Sequence, residues 1–99
     1  MGKLILIANI NVIPGFEEEI KKATIELAVE TRKETGCELF LIHTREDSPK
    51  VIVFYEIYQS ADVFQQHKAR IHTEKYLEFV KGRIENDKPE VIFLTALDS

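Results

Sequence analysis

The sequence predicts an α+β fold of the ferredoxin-like type, with the element order β-α-β-β-α-β. Four stretches have the composition of strands, and two regions between them repeat an apolar residue every three or four positions, as amphipathic helices do. The chain has 99 residues, which suits one domain (residues 1–99) with a single core. We therefore expect one four-stranded, antiparallel-edged sheet with both helical regions packed on the same face.

Residues 3–13 form the first predicted strand. Apolar side chains occupy every second position, which indicates one fully buried face. A proline–glycine pair at 14–15 ends the strand, and the glutamates at 17–19 suit the first turn of a helix because the helix dipole favours negative charge there. Apolar residues then recur with helical spacing until Gly36, which can end the helix in a left-handed conformation.

Residues 37–46 form the second predicted strand. The sequence Asp-Ser-Pro-Lys at 47–50 is typical of a turn, so the second and third strands should form a hairpin. The third strand, residues 51–58, consists of β-branched and aromatic residues around one acidic residue, Glu56. This composition is typical of a central strand that is buried on both faces. We expect it to lie parallel to the first strand in the middle of the sheet.

The remaining residues predict two more helices and a last strand. Ser60 can cap a short helix that ends near His67, and a longer helix follows at about 70–82. A polar loop at 86–89 precedes the strand 91–97, which is apolar on both faces. With the helices on one side, the other side of the sheet keeps an apolar surface that a second copy would cover. We therefore predict a homodimer.

The composition excludes several classes of partner. The formal net charge of −4 at pH 7 disfavours nucleic acid and anionic lipid as partners. No stretch approaches the run of about twenty apolar residues that a membrane span requires. The single cysteine cannot form an intrachain disulfide, and it suits the reducing cytoplasm. Neither nucleic acid nor a membrane is therefore an expected partner, and the small-molecule substrate that we expect follows from the cavity described next.

A cavity between the sheet and the helices is the predicted functional site. Glu56 places a carboxylate within an apolar strand, where desolvation is costly unless a partner is near, and His67 follows on the next helix. We expect His67 to act as a base that Glu56 holds in place, because the pKa of imidazole is close to neutral. Small Ala8 leaves room for a ligand. The expected walls of the cavity are the side chains of Phe40, Phe54, Glu56, Tyr58 and His67.

The same residues also have structural explanations. Glu56 could form an ion pair with Arg70 or His67 without any catalytic role. His72 would point roughly 140° away from His67 on a continuous helix, whereas a break near Lys68 would let both rings converge and allow His72 to contact a substrate. Helical metal ligands prefer a spacing of four residues, and no carboxylate cluster completes a ligand shell in the sequence. We therefore predict no metal site.

Several motifs resemble those of the antibiotic biosynthesis monooxygenase (ABM) family. They are the Pro-Gly-x-x-Glu-Glu opening of the first helix at 14–19, Gly-Cys at 36–37, Phe-Tyr-Glu-Ile-Tyr-Gln-Ser at 54–60 and the two histidines of 67–72. Their order and spacing extend over nearly the whole chain. The resemblance implies a dimeric ferredoxin-like α/β barrel with one pocket in each subunit and no bound cofactor. Some family members use an asparagine near the position of Asn9, which implies that Asn9 contacts the substrate; the alternative is that Asn9 faces the dimer interface or solvent.

The resemblance implies a monooxygenase or quinol-type oxidase acting on a small phenolic, enolic or quinol molecule that itself supplies the electrons. Haem-degrading members of the family carry tryptophan at the position of Tyr58, and this chain has no tryptophan, which argues against haem degradation. Two alternatives fit the same residues. One is an isomerase that uses the same base without oxygen, and the other is a small-molecule-binding or stress-protective dimer without turnover.

Overall fold

The computed structural model describes residues 2–98 of the chain. Four strands form one sheet in the order β2-β3-β1-β4, and the helices lie against one face of it. A 3₁₀ turn at Glu85–Asp87 precedes the last strand. The elements are β1 (Leu4–Asn11), α1 (Glu17–Thr31), β2 (Cys37–Arg45), β3 (Ser48–Tyr58), α2 (Ala61–Lys68), α3 (Ile71–Val80) and β4 (Glu90–Leu94).

The predicted ferredoxin-like α+β fold is confirmed, and its elements differ from prediction mainly at their ends. The third strand begins at Ser48, because Ser48 pairs with Arg45 across a turn of only two residues. The predicted turn at 47–50 was therefore too long. The last strand ends at Leu94, so the apolar pattern overestimated its length. Among the described residues, no helix is both long enough and apolar enough to cross a membrane.

The orientation predicted for the two central strands is wrong. β1 and β3 pair in antiparallel fashion, with Leu6 opposite Glu56 and Ala8 opposite Phe54. The reason is topological: α1 carries the chain from β1 to the far edge of the sheet, and the hairpin then brings β3 back between β1 and β2 in the reverse direction. Tyr58 consequently lies beside Leu4, at the start of β1.

The two faces of the sheet differ in how much the chain itself covers them. The face toward the helices carries the core, in which Leu6, Ile10 and Phe54 are buried. The other face, called here the open face, remains partly accessible. Along β4 the hydrophobic side chains are exposed on both faces, and Phe93 retains 60% of its accessible surface. The apolar residues of the open face include Ile5, Ile7, Leu39, Leu41, Ile57, Ile92 and Leu94.

Gly36 allows the segment that follows α1 to pack closely against α2. Its φ of +92° lies in the left-handed region that favours glycine, as the sequence predicted. Its carbonyl oxygen accepts a hydrogen bond from the amide of Gln59 at 2.9 Å. A Cβ atom at this position would lie only 2.7 Å from Cγ1 of Val63, on α2. The residues just before β2, among them Glu34, are therefore held close to α2.

Candidate functional site

A cavity of about 210 Å³ lies between the helix-facing side of the sheet and the helices. Ala8 and the aromatic rings of Phe40, Phe54 and Phe64 form much of its wall. Glu56 and His67, which are both buried and ionisable, also line the cavity. The cavity thus has the composition of a small-molecule site, which is mostly apolar with a few polar groups.

A larger hollow of about 540 Å³ follows the outer side of α1 and α3. Its charged lining residues, such as Lys22, Glu26 and Lys75, are exposed to solvent. An open groove of this kind leaves a ligand largely hydrated. The smaller cavity is the better ligand site because its apolar walls enclose the ligand and place it against buried ionisable groups.

Glu56 is the acidic group of the cavity, and only 6% of its surface is accessible. It lies between Leu6 and Phe40 on the neighbouring strands, as the predicted central position of β3 requires. Burial raises the pKa of Glu56 to about 7, the hydrogen bond from Tyr58 opposes this rise, and the negative charge of Glu34 adds to it. The carboxyl can therefore gain and lose a proton near neutral pH.

Tyr58 supports Glu56 from behind the cavity wall. Its hydroxyl donates a hydrogen bond to Oε1 of Glu56 at 2.6 Å, and its side chain is fully buried. Burial and the nearby Glu56 carboxylate hold the pKa of Tyr58 far above its usual range, so it remains a donor. The sequence predicted Tyr58 as a wall of the cavity. In the structure it positions the carboxyl instead.

His67 lines the cavity, but its carboxylate partner is not the one predicted. Nδ1 of His67 lies 3.1 Å from each carboxylate oxygen of Glu34, which the sequence analysis did not single out. Burial lowers the pKa of His67, and the hydrogen bond with Glu34 opposes this effect. The expected pairing of His67 with Glu56 is thus replaced by two separate pairs. The sequence feature that could have indicated Glu34 is Gly36, two residues later, because Gly36 allows this segment to pack against α2.

The predicted break between the two histidines is present. α2 ends at Lys68, Arg70 has an extended backbone with φ −67° and ψ 145°, and α3 begins at Ile71. His72 therefore turns back, and its Nε2 forms a hydrogen bond with Oε2 of Glu34. His72 does not line the cavity. It borders a separate surface hollow that also includes Glu34.

The structure brings together four of the predicted site residues and separates the others. Phe40, Phe54, Glu56 and His67 line one cavity. Asn9 lies opposite Val53 and Glu90 on the open face of the sheet, because neighbouring residues of a strand point to opposite sides. Asn9 therefore does not face this cavity, which agrees with the alternative that it faces a dimer interface or solvent. The antiparallel pairing also places Tyr58 beside Leu4, at the start of β1.

One polar residue of the cavity wall was missed because its environment cannot be read from the sequence. Thr73 has the helical spacing of a core residue, and it is 5% exposed. Thr73 lines the cavity, and its buried hydroxyl has no hydrogen-bond partner among residues 2–98. A buried hydroxyl without a partner is costly, which suggests that a ligand or water supplies the missing bond.

Comparison with known proteins supports the assignment of the fold and family. The family model for antibiotic biosynthesis monooxygenase matches residues 3–81. Similar structures include a candidate antibiotic biosynthesis monooxygenase from Nitrosomonas europaea, with a TM-score of 0.91, 22% identity, and coverage of 99% of this chain and 94% of that chain. No functionally curated protein matches significantly in sequence.

Two further structures show the same fold over almost their whole length. Rv0793 from Mycobacterium tuberculosis has a TM-score of 0.91 and 21% identity, with 99% of this chain and 98% of that chain covered. PA3566 from Pseudomonas aeruginosa has a TM-score of 0.90 and 21% identity, with 98% and 96% covered. Because the family model spans most of the sequence, the chain belongs to the antibiotic biosynthesis monooxygenase family.

Proposed function

We propose that the chain is a cofactor-independent monooxygenase or quinol-type oxidase that binds a small phenol, enol or quinol in the 210 Å³ cavity. Membership of the family supports a general oxidoreductase or small-molecule-binding role. The observation that carries the finer proposal is Glu56, a buried carboxyl with a pKa of about 7 in a cavity with aromatic walls. A general base works best when its pKa lies near the operating pH.

The size of the cavity supports a substrate with one or two rings. An apolar protein cavity of about 150 Å³ holds benzene, so about 210 Å³ has room for a somewhat larger ring system with its hydroxyl groups. The rings of Phe40 and Phe54 meet edge to face at 5.9 Å and offer aromatic contact surfaces. The hydroxyl of Thr73 offers a hydrogen bond to an oxygen of the ligand.

In the proposed reaction, ionised Glu56 accepts a proton from a substrate hydroxyl while Tyr58 holds the carboxyl in place. The resulting anion is electron-rich and reduces dioxygen directly. For a quinol, two electrons and two protons pass to dioxygen, which gives the quinone and hydrogen peroxide. His67 contacts the ligand through the part of its ring that faces away from Glu34. The apolar walls exclude water from the anion.

Oxygen uptake with a panel of benzoquinols and naphthoquinols tests this proposal. We expect consumption of oxygen by the wild-type protein and a loss of at least about a hundredfold in turnover for Glu56→Gln, which keeps the shape but cannot accept the proton. Glu46→Gln, an exposed position in the β2–β3 turn, serves as the matched control and should leave turnover unchanged.

Two outcomes would contradict the proposal. Unchanged turnover in Glu56→Gln would remove this carboxyl from the chemistry. Conversion of a substrate without oxygen uptake would assign an isomerase rather than an oxidase. Binding of the ligand is followed separately by the rise in thermal stability that it causes, so that a variant that fails to bind is distinguished from one that binds without turnover.

We also propose that a second copy of the chain covers the open face, because proteins of this family are generally small and dimeric. The apolar side chains of β4 support this proposal, since a lone chain leaves them in water. Val91, Pro89 and Lys88 also line the cavity, so a partner that packs on β4 would border its mouth. A two-fold axis is the simplest arrangement of two such faces.

A charged side chain introduced on the open face should dissociate the proposed dimer. Ile92 lies on that face beside Ile7, so Ile92→Glu would bury a carboxylate in the interface and should give a monomer by light scattering. Ile25 is equally apolar and exposed, but it lies on α1, and Ile25→Glu should remain dimeric. A monomeric wild-type protein, or a dimeric Ile92→Glu variant, would rule out this interface.

A further inference from the structure

We infer that Glu34, His67 and His72 form a binding site for a divalent transition-metal ion such as Zn²⁺. This Glu34–His67–His72 cluster lies between the end of α1, helix α2 and the start of α3. Its atoms suit the coordination of one ion, and the inference concerns a second site beside the cavity. It does not depend on the reaction proposed above.

The spacing of the donor atoms is close to that of a metal shell. One donor atom from each residue can be chosen so that all of them lie within 4.8 Å of one another, and Nδ1 of His67 is 3.1 Å from both oxygens of Glu34. Ligands at about 2.1 Å from a tetrahedral Zn²⁺ lie roughly 3.4 Å apart. Small rotations of the His72 side chain would therefore bring all three donors around one ion.

The ligands are held in place before any ion binds. The side chains of Glu34 and His67 are only 4% and 7% exposed, and that of His72 is 26% exposed. Close packing of Gly36 on Val63 fixes the segment that carries Glu34. The Ser60 hydroxyl caps α2 by accepting a hydrogen bond from the amide of Val63 at 3.2 Å. Little conformational freedom is lost on binding.

The chemistry of the donors indicates the class of ion. Two imidazoles and one carboxylate form the ligand set of many zinc and non-haem iron sites, in which other coordination positions stay open. Magnesium and calcium instead prefer shells made mainly of oxygen atoms.

An open coordination position has access to solvent. A hollow of about 240 Å³ borders the cluster on its outer side and is lined by Glu34, His72, Thr35, Arg70 and the ion pair of Glu30 with Lys33. An ion could enter through this hollow, and a fourth ligand could occupy it. The guanidinium of Arg70 would favour a negatively charged fourth ligand there, such as hydroxide or a carboxylate.

Titration calorimetry on chelator-treated protein tests the site, with Zn²⁺ and Co²⁺ as probes and Mg²⁺ and Ca²⁺ as controls. We expect one Zn²⁺ per chain at micromolar concentration or below, visible absorption bands on addition of Co²⁺, and no binding of Mg²⁺ or Ca²⁺ in the same range. Thermal stability should rise with Zn²⁺. Oxygen uptake is not needed for any of these measurements, so the outcome is separate from that of the proposed reaction.

Variants of His72, Glu34 and His43 identify the ligands. His72→Gln changes a partly exposed side chain, should fold, and should lower the affinity for Zn²⁺ by at least about a hundredfold. Glu34→Gln should do the same. His43→Gln is the matched control, because His43 is the third histidine of the chain and is exposed on β2.

Three results would overturn the inference. They are the absence of Zn²⁺ binding in the wild-type protein, unchanged affinity in His72→Gln, and loss of affinity in His43→Gln. The last two would mean that Zn²⁺ binds the surface and not the Glu34–His67–His72 cluster. His72→Gln decides the case even where Glu34→Gln does not fold, and thermal unfolding without metal establishes which variants are folded.

Discussion

Replacing Glu56 by glutamine is expected to change the free energy of unfolding in a pH-dependent way. The difference between variant and wild type should favour the variant by about 3 kcal/mol more at about pH 8 than at about pH 4. The pKa of Glu56 is about 7 in the folded chain and about 4.5 when unfolded. A raised pKa means that ionisation opposes folding. The contribution of Glu56 to the free energy of unfolding is therefore fully present at a pH below the unfolded pKa of 4.5. It declines as the pH rises from 4.5 toward the folded pKa, and it is lost above about pH 7.

Chemical denaturation at a series of pH values, at one fixed protein concentration, measures this effect. The difference in free energy of unfolding between Glu56→Gln and wild type cancels the titration of all other groups. The amide oxygen of glutamine can still accept the hydrogen bond from Tyr58, so the packing is preserved. Glu46→Gln, at an exposed position, should show no such trend. A difference for Glu56→Gln that is the same at every pH would show that this carboxyl titrates normally.

The second large effect is expected for Gly36→Ala, which should destabilise the fold by about 2–4 kcal/mol. Two costs combine there. An alanine must adopt a φ of +92°, and its Cβ would meet Cγ1 of Val63 at 2.7 Å. Relief of this contact would push α2 away from the segment of Glu34. Thermal and denaturant unfolding measure the loss of stability.

Gly15 provides the matched control for Gly36. It also has a positive φ, +102°, but a Cβ there would meet nothing within 4 Å. Gly15→Ala should therefore show only the backbone cost, about 1–2 kcal/mol. Combining Gly36→Ala with Val63→Ala should recover part of the loss, because it removes the contact. Equal effects of the two glycine variants would show that close packing on α2 contributes nothing.

The amino-acid pattern predicted the order of the elements and some residues of the cavity wall, because both depend on local periodicity. The position of Glu56 in a central strand, with Phe40 across from it, follows from the alternation of β2 and β3. The direction of β3 relative to β1 does not follow from alternation, which is the same for parallel and antiparallel strands. That error put Tyr58 at the wrong end of β1, whereas it lies beside Leu4.

The Glu34–His67–His72 cluster depends on contacts that no periodicity encodes. The sequence indicated a helix break near Lys68 as one possibility, and the break is what allows His72 to turn toward His67. Glu34 lies outside every predicted strand and near the end of a helix, where a glutamate is ordinarily solvated. Only the approach of the Gly36 segment to α2 buries it, and that approach is a property of the tertiary fold.

We propose that Glu56 exchanges a proton near neutral pH within a ligand cavity. The most direct measurement is an NMR titration of the ¹³C-labelled side-chain carboxyls, in which the signal that disappears in Glu56→Gln identifies this residue. The structure predicts a midpoint near 7 that moves when a quinol binds. A midpoint near the ordinary value of 4.5, unchanged by ligand, would contradict the account.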